Sequence, residues 1–179
     1  MKHNNSTPLE SLEKLSSLTR GDRAMESRST SKQTWRGFIF NVGDMNIVFP
    51  FMGGYEILPD REIHIIPWAK DWVRGVTNVR GEIYTVVDFS LYLGLAPVTS
   101  IRRATMFLLP DTSVKCVLLL EDRVNVRNFP QFAEHVVDEK VPQRLASCLN
   151  VILRDDDQDW LVVDVEQLCG SQEFLSIAA

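Results

Sequence analysis

Four acidic residues late in the chain look most like a site for chemistry. Asp155, Asp157 and Asp159 alternate, and Glu166 stands twelfth counted from Asp155. That spacing imitates a calcium loop, in which alternating oxygen ligands and a bidentate twelfth-position Glu surround the ion. The sixth place of such a loop needs Gly for its sharp turn, and here it is Trp160, heading an apolar strand pattern. A solvated hairpin turn fits these residues better, so no metal is expected. His3, His64 and His135 are scattered, and none pairs with another His or Cys at ligand spacing. Neither a zinc site nor a Ser-His-Asp relay has a frame. Cys116, Cys148 and Cys169 are odd in number and far apart, which reads as free thiols packed as small hydrophobes in a reducing compartment. No glycine-rich phosphate loop occurs and no cofactor is implied. Asp88 ends an apolar run and resembles a general base, yet no spacing supplies it with a partner. It reads instead as a strand-end residue accepting backbone N–H groups, with Ser90 as N-cap of a short helix.

The elements that must carry these residues are short. From Trp35 onward, β runs alternate with polar or Gly/Pro breaks: Arg36–Val42, Asn46–Phe51, Glu62–Ile66, Glu82–Phe89, Thr105–Leu109, Lys115–Leu120, Asn150–Arg154 and Trp160–Val163. Such even spacing predicts a mainly β barrel or sandwich. The runs Val86–Phe89 and Val117–Leu120 should be buried on both faces. Pro50 cannot donate to a ladder, which predicts an edge or bulged strand there. Short helices are predicted at Ser90–Leu93, Gln143–Leu149 and Asp164–Leu168. No internal repeat stands out. Ahead of this domain (35–179) lies an extension (1–34). Thr7-Pro8-Leu9-Glu10 forms a capping box, and Leu9, Leu12, Leu15 and Leu18 give a helix a loose apolar stripe. Residues 19–34 read as a flexible connector.

The totals narrow the function classes. The 179-residue chain suits one ordinary domain with 45% hydrophobic residues and a net charge of −5. Residues 1–36 carry seven Lys/Arg against four acids, so the remainder carries −8. An acidic body argues against nucleic acid, whose binding is dominated by phosphate neutralisation. No apolar run is long enough for a membrane helix and no signal-peptide core is present, so a cytoplasmic protein without direct membrane insertion is expected.

One stretch is more specific than the rest. From Trp68 to Leu95 the chain reads WAKDWVRGVTNVRGEIYTVVDFSLYLGL. Gly75 and Gly81 read as bracketing a tight excursion between strands, where a missing Cβ permits positive φ and close backbone approach. Asn78 can bond its own backbone and suits the turn itself. Arg80 is then presented at a constrained position, able to reach a partner's carboxylate or carbonyls at little entropic cost. The competing reading has Arg80 bonding its own barrel and holding two strands together.

The ordered pieces W-V-R-G (Trp72–Gly75), N-V-R-G (Asn78–Gly81), V-V-D (Val86–Asp88) and a short helix closed by L-G-L (Leu93–Leu95) resemble the signature of the CheW family. Weaker echoes run from Phe38 to the C-terminus, including Tyr55-Glu56-Ile57 and Leu161–Asp164. The N-terminal extension, Trp35 and the ending Phe174–Ala179 point to the branch of the family that serves type IV pili. One departure is Cys148-Leu149-Asn150-Val151, where the family often has Gly, with Asn150 standing in.

The resemblance implies two intertwined five-stranded β-barrels with short helices. It implies a non-catalytic adaptor coupling a CheA-type histidine kinase to methyl-accepting chemoreceptors, held at the inner membrane through receptor arrays, with twitching motility as the output. It implies partner contacts among Trp72, Arg74, Asn78, Val79, Arg80 and Gly81, and structural roles for Gly75, Asp88 and Gly94. Trp68 and Trp72 are further aromatic candidates, one for the core and the other for a partner hot spot. The alternatives are the flagellar adaptor of the same family and, in a different class, a metal-dependent β-barrel enzyme using Asp88, Asp164 and the Asp155–Asp159 cluster.

Overall fold

The computed structural model describes residues 34–110, 114–130, 134–136, 141–155 and 157–176. The expected helix over Leu9–Leu18 and its connector fall outside these residues. In chain order the elements are β1 (Thr34–Val42), β2 (Met45–Pro50), β3 (Glu56–Leu58), β4 (Val73–Val79), β5 (Glu82–Asp88), α1 (Phe89–Tyr92), β6 (Thr105–Leu108), β7 (Cys116–Leu120), β8 (Asn125–Pro130), β9 (Glu134–Val136), α2 (Gln143–Ala146), β10 (Leu149–Asp155), β11 (Gln158–Val163), α3 (Val165–Gly170) and α4 (Gln172–Leu175). The protein is mainly β, as the run of short strands predicts.

The strands form two sheets, ordered β8-β1-β2-β11-β10-β9 and β3-β6-β7-β5-β4. From Thr34 the chain enters the first sheet, builds the whole of the second, and returns to finish the first. That path interlocks them. Each sheet holds one parallel pair, β2 with β11 and β5 with β7, among antiparallel ones. At the outer edge of the second sheet, His64 makes a single antiparallel bridge to Val76. Its N–H and C=O both bond Val76 at 2.8 Å. The segment predicted as strand Glu62–Ile66 is thus reduced to one bridge, while the sequence's clearest signature, Val73–Val79, is itself a strand rather than a loop.

Burial follows the period-2 alternation of strands. On β6 and β7, Phe107 and Leu118 face a large central core, whereas Met106, Leu108, Val117 and Leu119 face a smaller core within the second sheet. On β2, Ile47 and Phe49 face the central core, and Val48 faces a third core with Phe129, Leu153 and Trp160. Each sheet therefore wraps its own interior and shares the layer between them. This accounts for the unbroken apolar run in β7, where Cys116–Leu120 are all buried. β2 lies inside its sheet rather than at an edge. Pro50 is accommodated because it pairs only with Gly37, beyond the Asn46–Val48 stretch that β11 covers.

A candidate docking hairpin

β4 and β5 are joined through Val79↔Glu82, leaving a two-residue turn of Arg80 and Gly81. Arg80 has φ 55° and Gly81 φ 88°, the paired positive values that a type I′ turn requires. Such turns match the twist of their strands but favour Asn or Gly at the first place. An Arg there costs about 1 kcal/mol of backbone strain. Asn78 supplies part of the compensation: its side-chain oxygen accepts the Gly81 N–H at 2.9 Å. Asn78 itself lies in β4, so the left-handed residue is Arg80. The turn is a hairpin tip, not an excursion between the glycines.

The Arg80 side chain is 71% exposed, and one terminal nitrogen donates to both oxygens of Glu56, at 2.9 and 2.7 Å. Glu56 begins β3, the opposite edge of the same sheet. Arg61 donates to the carbonyl of Asn78 at 3.2 Å and Thr77 to that of Glu62 at 2.8 Å. Together with the His64 bridge, these contacts fold the β3–β4 connection along the outer side of β4 and draw the two edges together. Beside the tip, Lys115 bonds Glu82 at 2.5 Å and holds its carboxyl below the usual range. Two charged pairs therefore stand at this end of the sheet, with Ile83 exposed next to them.

The remaining residues of the signature divide cleanly. Trp72 is buried, edge-on to Tyr92 at 5.4 Å and stacked with Phe174 at 6.3 Å, and Val79 is 2% exposed in the second sheet's core. Neither offers a side chain to a partner. Of the two tryptophans, Trp68 is the exposed one, at 88%, with φ 60°. Arg74 is an added residue in β4, where the register shifts between Val73 and Gly75. It donates to the Val98 carbonyl at 3.3 Å, with its Nε 3.6 Å from Asp88. Of the six residues expected to contact a partner, the exposed ones are those at and beside the tip: Asn78, Arg80 and Gly81.

Gly75 has φ 139°, and a Cβ there would overlap the carbonyl oxygen of His64. Its role is close backbone approach, at a bridge rather than in a turn. Asp88 is fully buried and is itself the N-cap of α1, accepting from the N–H of Leu91 at 3.1 Å and of Val98 at 3.0 Å. Ser90 is not the cap. Gly94, at φ 80°, ends α1: its N–H reaches Leu91 and the next N–H reaches Ser90, the double bond of a Schellman motif. Asp164 caps α3 through the Gln167 N–H at 3.0 Å. In the acidic turn, Asp155 pairs with Arg127 and Asp159 with Arg154, and among the described residues no three potential ligands converge on a metal site. Cys116 and Cys148 are buried, and burial pushes both thiols up, Cys148 to about 11.

Sequence reasoning missed Glu56. The only signal was the echo Tyr55-Glu56-Ile57. Pairing it with Arg80 required knowing that β3 and β4 are opposite edges of one curled sheet.

Comparison with known proteins agrees with this geometry. The family model described as CheW-like domain matches residues 36–173. The Protein PilI of Pseudomonas aeruginosa is 27% identical over 158 residues, 86% of each chain. Among solved structures, the scaffolding protein TtCheW from Thermoanaerobacter tengcongensis superposes with a TM-score of 0.63 at 16% identity, covering 79% of this chain and 96% of that one. With its signature built into one hairpin and its helix, and with the family model spanning both sheets, the chain belongs to the CheW-like domain family.

Proposed function

We propose that this protein is a non-catalytic adaptor that links a CheA-type histidine kinase to methyl-accepting chemoreceptors in the array controlling type IV pili. Two findings support the reading: membership of a family of chemosensory adaptors, and similarity to PilI over most of both chains. The observation that carries it here is Arg80, held in strained backbone at an exposed tip yet fixed in direction by Glu56. A constrained, exposed guanidinium suits recognition, because little of its freedom remains to be lost on binding. Signalling is then a coupling free energy between two docking sites rather than bond chemistry. Individual contacts are weak and are strengthened by multivalency in the array. Work in the cytoplasm, at the inner membrane through receptors, is consistent with the described residues, which include no helix long and apolar enough to cross a membrane.

The enzyme reading draws no support from its own residues. Asp88 is sealed in the core and Asp164 is spent on a helix cap.

The test is reconstitution. Purified kinase, receptor cytoplasmic fragment and this protein are mixed singly and together, and kinase autophosphorylation is measured with co-sedimentation. Receptor-dependent activation should require the protein. Full receptor control without it, or no ternary complex with it, would sink the proposal. Deletion in cells separates the pilus from the flagellar adaptor: twitching is lost while swimming persists.

A further inference from the structure

Trp68 contributes little to the core of its own chain. It is 88% exposed, and Ile65, in the same segment, is 86% exposed. Trp68 also holds φ 60°, a region that bulky side chains almost never adopt. It follows Pro67 in a turn. Proline ahead of a positive φ is the pattern of a type II turn, whose second central place ordinarily takes Gly or Asn. The backbone is nevertheless anchored on both sides. His64 exchanges two hydrogen bonds with Val76, and the Lys70 carbonyl accepts the Val73 N–H at 2.8 Å. A solvated indole on strained, anchored backbone points to a role outside the chain's own core, since such strain clusters at sites of function.

A surface able to receive it lies close by. Lys70, Arg144, Gln172, Glu173 and Ser176 wall a groove of about 280 Å³ over the buried ring of Trp72. Trp68 is outside this lining, yet four residues of chain keep its Cα within roughly 14 Å of the Trp72 Cα. The groove falls just below sites for drug-sized ligands, roughly 300–1,000 Å³, and suits a single large side chain. Its walls are held in place. Arg144 bonds Glu173 at 2.6 Å and the Tyr92 carbonyl, with its guanidinium over the Tyr92 ring. Beneath it, Trp72, Tyr92 and Phe174 pack face and edge. The cations Lys70 and Arg144 on the wall favour an aromatic guest, whose ring face is negative.

We infer that this protein pairs with a second copy of itself about a twofold axis, the Trp68 indole of each entering the Lys70–Arg144 groove of the other. Knob and hole lie on one patch, which is what such a self-complementary contact requires. Each indole buries roughly 150–250 Å². Two of them, with the walls they meet and the flanking Ile65, bury on the order of 1,000 Å², the low end for a specific interface. The pair is therefore weak and reversible. It leaves the Arg80 tip free, because β4 runs roughly 20 Å from Val73, next to the groove, to Val79 at the tip. Two joined copies present two tips, and bivalency strengthens docking in an array with no new contact at either tip. Pairing goes beyond the adaptor reading and does not depend on it.

Sedimentation velocity of the full chain from about 1 to about 200 μM tests the pairing, since association follows mass action. Wild type should shift from monomer to dimer over that range. Trp68→Asn, whose new side chain suits a positive φ, should remain monomeric throughout. Melted at about 1 μM, where both proteins are monomers, it should be as stable as wild type or more so. Ser176→Arg fills the groove from an exposed position and should also remain monomeric. Mixed, the two variants should pair again, at higher concentration than wild type needs, because the intact Trp68 of one meets the open groove of the other. A monomeric wild type, either variant pairing as tightly as wild type, or a mixture without dimer would each overturn the inference. So would a Trp68→Asn melting temperature well below that of wild type, which would assign the indole to the protein's own fold. If wild type stays monomeric and Trp68→Asn weakens binding to the kinase or receptor fragment, the indole belongs to that partner instead.

Discussion

Two parts of the molecule follow one plan. The hairpin β4–β5 with α1 and the hairpin β10–β11 with α3 correspond position by position: Val73 to Leu149, Val79 to Asp155, Glu82 to Gln158 and Asp88 to Asp164. Each first strand takes in one added residue, Arg74 or Asn150, next to its start. Each second strand leads through V-V-D into its helix, with the Asp N–H bonded to Trp72 or Cys148 at 2.9 and 2.8 Å and its carboxylate capping the helix. An outer strand lies beside each, as β9 on β10 through Val136↔Ile152 and as the His64 bridge on β4. Each hairpin end also carries an ion pair to the far edge strand of its sheet, though one place out of step. Glu56 of β3 meets Arg80, and with the charges reversed Arg127 of β8 meets Asp155. The difference lies in what surrounds the charge. Arg127 is 26% exposed and stacks over Trp160 and Phe129, so it is enclosed by its own sheet, whereas Arg80 stands out at the tip. A shared frame thus carries scaffolding in one half and a presented guanidinium in the other.

The sharpest way to break this comparison is Gly75→Ala against Val151→Ala, at corresponding positions. The first drives a Cβ into the His64 carbonyl at a φ unsuited to L residues, and it should cost about 3 kcal/mol or more. The second trims a half-buried side chain and should cost about 1 kcal/mol. Urea denaturation measures both. Equal losses would mean that the two hairpins depend on their outer strands alike.

Next come the caps. Asp88→Ala removes a fully buried carboxylate that holds Leu91, Val98 and Arg74, and should cost about 3 kcal/mol. Asp164→Ala loses an exposed helix cap, about 1 kcal/mol. Thermal melts should rank them in that order; a reversed order would show that Asp88 is not what ties the Val98 loop down.

The same pair of hairpins explains what could be read from the sequence. The alternation of apolar residues and the V-V-D ends follow from burial and capping, which leave local marks, so the mainly β architecture and most of its strands were legible. The repeat was not, because equivalent backbone needs are met by different side chains. The added residue is Arg74 in one half and Asn150 in the other, and the residue after it is Gly75 or Val151. Asn150 does not stand in for a turn glycine; it is the residue added at a bulge. β3 and β9, of three residues each, are too short to leave a period. Of the site, Arg80 and Asn78 were legible because N-V-R-G states a turn. Glu56 was not, because curling of the sheet, not spacing, brings it to Arg80. Trp72 and Val79 were grouped with the tip by proximity in sequence, yet alternation along β4 turns Val79 inward, and Trp72, just ahead of the strand, packs into the core.

The smallest effect on stability, and the most informative for function, is expected at the ion pair itself. An exposed pair contributes under about 1 kcal/mol, so Arg80→Glu should leave the denaturation midpoint nearly unchanged while weakening kinase or receptor binding. Arg80→Asn goes further, since Asn is favoured where φ is positive at the first place of a type I′ turn; it should be as stable as wild type or slightly more so, and still bind poorly. The double exchange Glu56→Arg with Arg80→Glu decides between the two readings of Arg80. It restores the contact between the sheet edges with the charges in the order that Arg127 and Asp155 use. If Arg80 serves only to hold β3 to the hairpin, the exchange recovers binding. If the tip is the docking surface, a carboxylate there cannot replace the guanidinium, and binding stays lost in a protein as stable as the original.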